Sequence, residues 1–295
     1  APIEDDLETA GVKSILYAPY GQLRYIPLTA LHDGDQWLVE NYGVNTITAL
    51  SLQELTAERK ADPRVLAGAF ADRTLEYTVP LGDRSATMSG LPFAGREVEL
   101  LTAERDNHTL LIDQDFSLDA VLPIMRNFDV IHFATHAAFI PGSPENSFIL
   151  FGNGDRATLA DIAEWVLPNV QMAVLSACQT GYGRVLDSGI EILGLGYQFH
   201  KVGAHSVMAS LWRVDDGGTQ VLMNTFYNYL DQGMTKTEAL QAAQIAMLNG
   251  DSATLGETRG GLGFELSDTV ELEGVQSRLS HPFYWSPFIT IGNGL

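Results

Sequence analysis

The chain has 295 residues, of which 45% are hydrophobic and 18% are charged, as is typical of a globular protein with a sizeable core. Its net charge of −20 disfavours binding to nucleic-acid phosphates and favours cationic partners, although such a charge can also serve solubility alone. No segment approaches the roughly 18 consecutive apolar residues of a membrane helix, so we expect no membrane span.

The first ten residues, APIEDDLETA, are acidic and polar, unlike a secretory signal peptide, and no initiator Met precedes them. We therefore expect the chain to be a processed piece of a longer protein. Cys178 is the single cysteine in the sequence, so no internal disulfide can form. This cysteine usage is typical of a reducing compartment and predicts a cytoplasmic location.

Residues 1–60 predict a small N-terminal section, rich in strands and turns, that packs on the core. We expect strands at VKSILYAP, LRYIPLTAL and WLVENYGVNTI. A short polar helix, SLQELTAERK, then closes this section at Lys60. The remaining residues, 61–295, predict a larger domain.

Strands and helices alternate from residue 61 onward, which is typical of βαβ units with a parallel sheet. The predicted strands are 64–70, 108–113, 129–137, 170–178 and 204–214, with a hairpin over 147–159 and a last edge strand within HPFYWSPFITIG. The predicted helices are 94–104, 116–128, 159–166, 190–203, 219–233 and 235–250, and long loops are predicted over 71–92 and 250–281. The fold class is therefore α/β, a mostly parallel sheet with helices on both faces.

Two reactive side chains stand at the carboxyl ends of predicted strands, where α/β sheets place their functional crevices. His136 ends VIHFATH, and Cys178 ends VQMAVLSAC. If the two strands are neighbours, the imidazole can take the thiol proton and later protonate a leaving amine. Alternatively, a free cysteine is simply a small buried hydrophobic residue.

Acyl transfer also needs hydrogen-bond donors for the oxyanion that develops on the attacked carbonyl. We expect the backbone N–H groups of Ala137 and Cys178 to serve, because each follows the point at which its strand stops pairing. The small side chains of Ala137, Ala138 and Ala177 would leave room for a substrate backbone.

Other motifs support weaker alternatives. His132 and His136 have the spacing of a helical zinc pair, but VIHFATH reads as a strand and lacks the Glu of that motif, so we expect no metal. His132 is better explained as a hydrogen-bonded core residue or a support of the site. GLGYQFHKVG has no phosphate-loop pattern, and FYWSPF is explained by core packing or by one wall of a substrate subsite.

Six segments, in this order, resemble the CHAT domain family, the caspase-like cysteine peptidases of clan CD that often follow tetratricopeptide repeats. The segments are LRYIPLTALHDG, LPFAGREVELL, VIHFATHA, VLSACQTG, GAHSVMASLWRVDD and HPFYWSPFITIG. The resemblance covers nearly the whole chain and implies a caspase–hemoglobinase-like fold. It maps His136 and Cys178 onto a catalytic dyad and implies an upstream repeat region that could gate the site.

The resemblance also implies that SLWRVDD, after the cysteine, builds part of the pocket for the residue that precedes the cut bond. Related separases carry a similar run and use an acid there to hold arginine, so Asp216 or Asp215 would pair a basic side chain beside Trp212. Alternatively, the two acids cap a helix that starts near Gly217. Arg213, if turned into the pocket, would instead favour an acidic residue.

We therefore predict a cysteine endopeptidase without metal or organic cofactor, acting on a protein or peptide substrate, with a basic residue before the cut bond. The main alternative is a catalytically silent caspase-like scaffold domain, and a third is an amidase for a small molecule. Expected partners are the substrate and an upstream repeat region or regulatory protein, with neither nucleic acid nor membrane among them.

Overall fold

A computed structural model describes residues 3–48, 60, 62–138, 140, 143–176, 178–179, 190–212, 214, 216–251 and 278–295. Its strands are β1 (Ser14–Tyr17), β2 (Gly43–Thr46), β3 (Val65–Ala69), β4 (Glu76–Leu81), β5 (Arg84–Ser89), β6 (His108–Ile112), β7 (Val130–Ala134), β8 (Ala137–Ala138), β9 (Phe148–Leu150), β10 (Arg156–Thr158), β11 (Met172–Leu175), β12 (Cys178–Gln179), β13 (Ser206–Ser210) and β14 (Phe288–Gly292). Its α-helices are α1 (Glu4–Thr9), α2 (Leu38–Asn41), α3 (Pro92–Thr102), α4 (Leu118–Val121), α5 (Leu159–Ile162), α6 (Ile190–Lys201), α7 (Asp216–Asp231), α8 (Lys236–Asn249) and α9 (Pro282–Trp285). Among the described residues, none of the helices is both long and apolar enough to cross a bilayer.

Eight strands form the central sheet, in the order β1-β2-β14-β13-β11-β7-β3-β6. The described pairs are parallel except for β13 with β14, which run antiparallel. Because β14 lies between β2 and β13, the predicted last edge strand is wrong: this strand is interior, and Ile291 is fully buried there. The strands β1 and β2 of the N-terminal section join the same sheet through β14, so the domain boundary near residue 60 stays a prediction.

Alternating side chains of the central strands supply two apolar cores, one on each face of the sheet. On the first face, β3, β7 and β11 pack against α3, α7 and α8. On the second face, Leu66, Ile131 and Ala173 pack with Phe116, Phe199 and the residues around α5. Successive side chains of a strand point to opposite faces of the sheet. A strand that helices cover on both sides therefore needs apolar residues at successive positions.

The elements that differ from the prediction have local physical reasons. LRYIPLTAL forms two 3-10 turns, Gly21–Tyr25 and Leu28–Ala30, on either side of Pro27 rather than a strand. The helix expected over 116–128 begins at Leu118 with the predicted Ser117 cap but ends before Pro123, which cannot continue it. The helix predicted over 51–60 and most of the loop predicted over 250–281 lie outside the described residues.

A hairpin, β4 with β5, replaces most of the loop predicted over 71–92. Its two strands are joined by the two-residue turn Gly82–Asp83, and most of their side chains are exposed or half-buried. A strand that buries little apolar surface leaves only a weak hydrophobic pattern in the sequence, and polar composition then suggests a loop. The hairpin ends at Ser89, beside the carboxyl edge of the central sheet.

The centre of β3 tolerates no side chain at Gly68. A Cβ built there would lie 2.2 Å from Cε2 of Phe116, a fully buried ring. We expect Gly68→Ala to lower the free energy of unfolding by about 1–3 kcal/mol, because an overpacked core must shift. Urea unfolding at 25 °C measures this loss. The double variant Gly68→Ala with Phe116→Leu should recover part of it, and an unchanged midpoint in the single variant would contradict the steric argument.

Candidate active site

The two strands that lead to the predicted reactive residues are neighbours. β7 and β11 pair in parallel, with Phe133 opposite Leu175. Beyond the carboxyl end of this pair, β8 and β12 also pair in parallel, and Cys178 lies opposite Ala137. The description of Cys178 is confined to its backbone. The cysteine backbone is therefore one strand away from the residue that directly follows His136.

One extra residue separates these two pairings on the histidine side. The chain takes four residues from Phe133 to Ala137 but only three from Leu175 to Cys178. An unequal count of this kind has the effect of a β-bulge, which re-aims the side chains at the site of the insertion. The insertion is fixed by β9, because the Thr135 hydroxyl donates to the Leu150 carbonyl (2.5 Å) and the Leu150 N–H donates to the His136 carbonyl (2.8 Å).

The His136 ring is buried, with 5% of the residue exposed, and is oriented by a backbone carbonyl. Its Nε2 lies 2.8 Å from the Ser89 carbonyl oxygen, and the ring meets Phe70 edge-on at 6.0 Å between centroids. A carbonyl only accepts hydrogen bonds, so in the neutral imidazole Nε2 carries the proton and Nδ1 is the nitrogen that can accept one. The role of Ser89 is not predictable from the sequence, because every residue type carries a main-chain carbonyl.

The carbonyl of Ser89 is itself held by close backbone packing. A Cβ at Gly90 would lie 2.3 Å from the Asp72 carbonyl oxygen, so the two main chains are in direct contact. The Leu91 N–H donates to the Phe70 carbonyl (2.8 Å). The Asp113 carboxylate accepts from the N–H groups of Ala71 (2.6 Å) and Asp72 (2.8 Å). These contacts fix the acceptor that orients the imidazole.

Contrary to the expectation for the oxyanion donors, β8 and β12 continue to pair at Ala137 and Cys178, and the roles of their N–H groups stay predictions. Ala137 lies in a strand that pairs on both sides, with β9 and with β12, so its strand does not stop pairing there. Since the N–H of Leu150 bonds to the carbonyl of His136, antiparallel geometry turns the N–H of Ala137 away from β9 and toward the strand of Cys178.

The predicted substrate-binding residues separate into three outcomes. Asp216 is the first residue of α7, and its Oδ2 accepts from the Phe93 N–H (2.9 Å), so it caps the first turn of α3. Trp212 is half-buried, stacks on Phe283 at 6.2 Å and donates Nε1–H to the Phe283 carbonyl (3.1 Å). Asp215 lies outside the described residues, as does Arg213.

His132 belongs to a buried polar network that sequence analysis did not find. Its Nε2 lies 2.6 Å from Oε1 of Glu97 and its Nδ1 lies 2.9 Å from the Tyr227 hydroxyl, while the Ser176 hydroxyl donates to the same Glu97 oxygen. Burial raises the pKa of Tyr227 well above its ordinary value, an effect that Arg105 opposes and the charge of Glu97 reinforces. The phenol therefore stays neutral and can donate to Nδ1.

The network explains His132 without a metal. Among the described residues, no group of three or more His, Cys, Asp or Glu side chains is placed to hold a metal ion. Glu97 falls on the buried side of the predicted helix 94–104, and an acid at a position with apolar periodicity is the signal that could have indicated a buried pair.

Comparison with known proteins places the chain in a family. The family model of the CHAT domain matches residues 1–293. The chain belongs to the CHAT domain family. A curated relative, Tetratricopeptide repeat protein 28 of Homo sapiens, is 24% identical to this chain over an alignment 331 residues long, and the alignment covers 92% of this chain and 12% of the relative. The chain thus spans about an eighth of that protein's length.

Two solved structures resemble this CHAT domain in fold. The crystal structure of the Arg-specific cysteine proteinase gingipain R has a TM-score of 0.54 at 8% identity, and the match covers 99% of this chain and 66% of that one. The complex of Porphyromonas gingivalis RgpB pro- and mature domains gives 0.53 at 9% identity, covering 99% and 67%. At such low identity the likeness shows the fold alone. The prediction of a caspase-like α/β fold is confirmed.

The hydrogen bond from the Phe93 N–H to Asp216 predicts that this acid stabilises the fold by capping α3. We expect Asp216→Ala to lower the free energy of unfolding by about 0.5–2 kcal/mol without any substrate, because the first turn of α3 loses its side-chain acceptor. Urea unfolding measures the change. Asp5→Ala, which removes an exposed acid from the first turn of α1, is the matched control. Equal stability of Asp216→Ala and the control would contradict the capping role.

Proposed function

We propose that this CHAT domain is a cysteine endopeptidase that hydrolyses peptide bonds in a protein substrate, with Cys178 as the nucleophile and His136 as the general base. The observation that carries the proposal is the pairing of β8 with β12, which places the cysteine backbone opposite Ala137, the neighbour of a histidine oriented by Ser89. The caspase-like fold supports this proposal.

The chemistry follows from the orientation of the imidazole. Nδ1 of His136 takes the proton of the Cys178 thiol, and the sulfur attacks the carbonyl carbon of the substrate. The tetrahedral intermediate collapses as the C–N bond breaks, and the imidazolium delivers its proton to the leaving amine. Water, deprotonated by the same imidazole, then attacks the thioester, and the carboxylic product leaves as the thiol is restored.

Charge stabilisation in the intermediate is assigned to the backbone N–H groups of Cys178 and Ala137. The direction of the Ala137 N–H, toward the strand of Cys178, supports this assignment. To serve, this N–H must exchange any bond within the pairing of β8 and β12 for the substrate oxygen. Each such donor typically contributes about 10²- to 10³-fold to the rate.

We assign the residue before the cut bond to the basic class. Asp216 lies shortly after the carboxyl end of β13, and a carboxylate is the group that pairs with a guanidinium by charge-assisted hydrogen bonds. The stacked rings of Trp212 and Phe283 provide an apolar wall nearby. The net charge of −20 would also steer a basic substrate toward the domain.

A repeat-containing region is the proposed partner outside this domain. The curated relative is named for its tetratricopeptide repeats, and it is far longer than the part that matches this chain. A neighbouring repeat region could open or close the substrate cleft. The single cysteine supports a reducing, cytoplasmic setting for such an assembly.

The dyad is tested by hydrolysis and by thiol labelling of the same variants. We expect the chain to cleave a peptide library and to react with an electrophilic activity probe at Cys178. Cys178→Ser should abolish both, and His136→Ala should lower the hydrolysis rate by about 10²- to 10⁴-fold, since a general base contributes that much. His108→Ala, at an exposed imidazole at the start of β6, should leave the rate unchanged.

A chain that neither labels nor cleaves, with and without its repeat region, would overturn the enzyme proposal. It would favour a catalytically silent scaffold domain. Cleavage of small amides but of no peptide would favour an amidase instead.

Substrate preference is tested with a library that varies the residue before the cut bond. We expect the wild-type chain to prefer Arg or Lys there, and Asp216→Ala to lose most of this preference, because a charge-assisted bond to arginine disappears. Cleavage rates for Arg-containing peptides relative to otherwise identical Leu-containing peptides give the measurement. Asp5→Ala again serves as the control. An unchanged preference for basic residues in Asp216→Ala would exclude this residue from the pocket.

A further inference from the structure

We propose that Glu97 is a positioning residue for the cysteine–histidine pair, because its buried carboxylate connects the two strands that lead to His136 and Cys178. The inference rests on the proposed function and adds a residue to its machinery. Glu97 acts through His132 and Ser176.

The two partners of Glu97 precede the reactive residues on the two neighbouring segments of chain. His132 lies within β7, four residues before His136, and Ser176 follows β11, two residues before Cys178. Oε1 of Glu97 lies 2.6 Å from Nε2 of His132 and also accepts from the Ser176 hydroxyl. One oxygen atom therefore links the neighbouring strands just before the point at which they diverge by one residue.

Burial makes this link strong. Glu97, His132 and Ser176 are exposed by only 1%, 0% and 2%, so no solvent competes for the carboxylate. In a medium of low polarity such bonds gain strength, and leaving one buried partner unpaired is costly. Substrate cannot reach the network at this depth, which leaves support of the neighbouring strands as its contribution to catalysis.

The carboxylate is held in place by the helix pair above the sheet. The backbone carbonyl of Glu97 accepts from Nδ2 of Asn224 (3.1 Å), and Oδ1 of Asn224 accepts from Nε2 of Gln220 (2.6 Å). Tyr227, one turn further along α7, holds the other nitrogen of His132. A group fixed at both its backbone and its side chain can set the position of what it binds.

Placement matters because catalytic groups tolerate little error. A displacement of about 1 Å can cost about 10²-fold in rate, and a site must be held within about 0.5 Å of its productive geometry. Ser176 is the last described residue before the cysteine strand, and its own N–H donates to the Phe133 carbonyl (3.0 Å). Loss of the bond from Ser176 to Glu97 would let this end of the strand move relative to His136.

The experiment measures alkylation of Cys178 by iodoacetamide against pH in the full chain. Cys178 is the single cysteine, so every alkylation event reports on it. In the parent, imidazole assistance should keep the reaction fast below the ordinary thiol pKa of about 8.5, and His136→Ala should remove that assistance. We expect Ser176→Ala to move the pH profile toward that of His136→Ala, with a rate at pH 7 lowered about threefold or more.

Ser206→Ala is the matched control. Its hydroxyl is equally buried and bonds to the Gln171 carbonyl (2.8 Å), but it lies at the amino end of β13, away from the dyad. We expect it to lower stability while leaving the pH profile of alkylation unchanged. If Ser176→Ala fails to fold, Glu97→Gln, which keeps the side-chain volume, takes its place. Ser176→Thr should restore the parent profile, because the hydroxyl returns.

The outcomes separate the two proposals. A Ser176→Ala profile equal to that of the parent, while His136→Ala differs, would overturn the positioning role and leave the dyad intact. A shift in Ser206→Ala as large as in Ser176→Ala would also overturn it, since any buried hydroxyl would then suffice. Identical alkylation profiles for the parent and His136→Ala would contradict the proposed assistance of Cys178 by His136, and the positioning role of Glu97 with it.

Discussion

The site depends on a single constraint on two adjacent segments of the chain. Their parallel pairing stops after Phe133 and Leu175 and resumes at Ala137 and Cys178, four residues later on one segment and three on the other. β7 and β11 are held in register by the central sheet, and β8 and β12 are held in register by a second, smaller sheet. The extra residue must therefore be absorbed between Phe133 and Ala137. The alternation of side chains between the two faces of the sheet cannot continue through the extra residue. The orientation of the His136 ring is therefore set by the bulge and not by the strand that precedes it.

The two faces of the sheet are used differently around this step. The face that meets α5 and α6 carries one of the two apolar cores, whereas the face that meets α3 and α7 carries, beside its apolar core, the network of Glu97, His132, Ser176 and Tyr227 near the carboxyl edge. Apolar packing tolerates small slips, because dispersion has no direction. Hydrogen bonds do not, and a satisfied buried network therefore specifies one arrangement of strands and helices.

The sequence predicted the features that leave a pattern in residue type. Long apolar runs predicted β3, β7, β11 and β13, and the helices predicted over 94–104, 219–233 and 235–250 correspond to α3, α7 and α8. The position of β14 inside the sheet could not be read this way, because strand order is a property of pairing and not of composition. In the site, His136 was predictable from its place at the end of a strand. The Ser89 carbonyl, the bulge and the Phe93–Asp216 bond were not predictable, because they involve backbone groups that leave no pattern in residue type.

Helix α3 and the turn before it join these separate contacts into one support. Within nine residues, the Ser89 carbonyl holds the imidazole, the Phe93 N–H holds the carboxylate that begins α7, and Glu97 holds the strands that lead to the dyad. Three parts of the site that are distant in sequence are thus hydrogen-bonded to the same short segment, residues 89–97. A shift of α3 would displace the imidazole, the strand of the cysteine and the carboxylate of Asp216 together. Any partner that contacts this helix would act on all three at once, which makes α3 the element through which the geometry of the site can be changed as a unit.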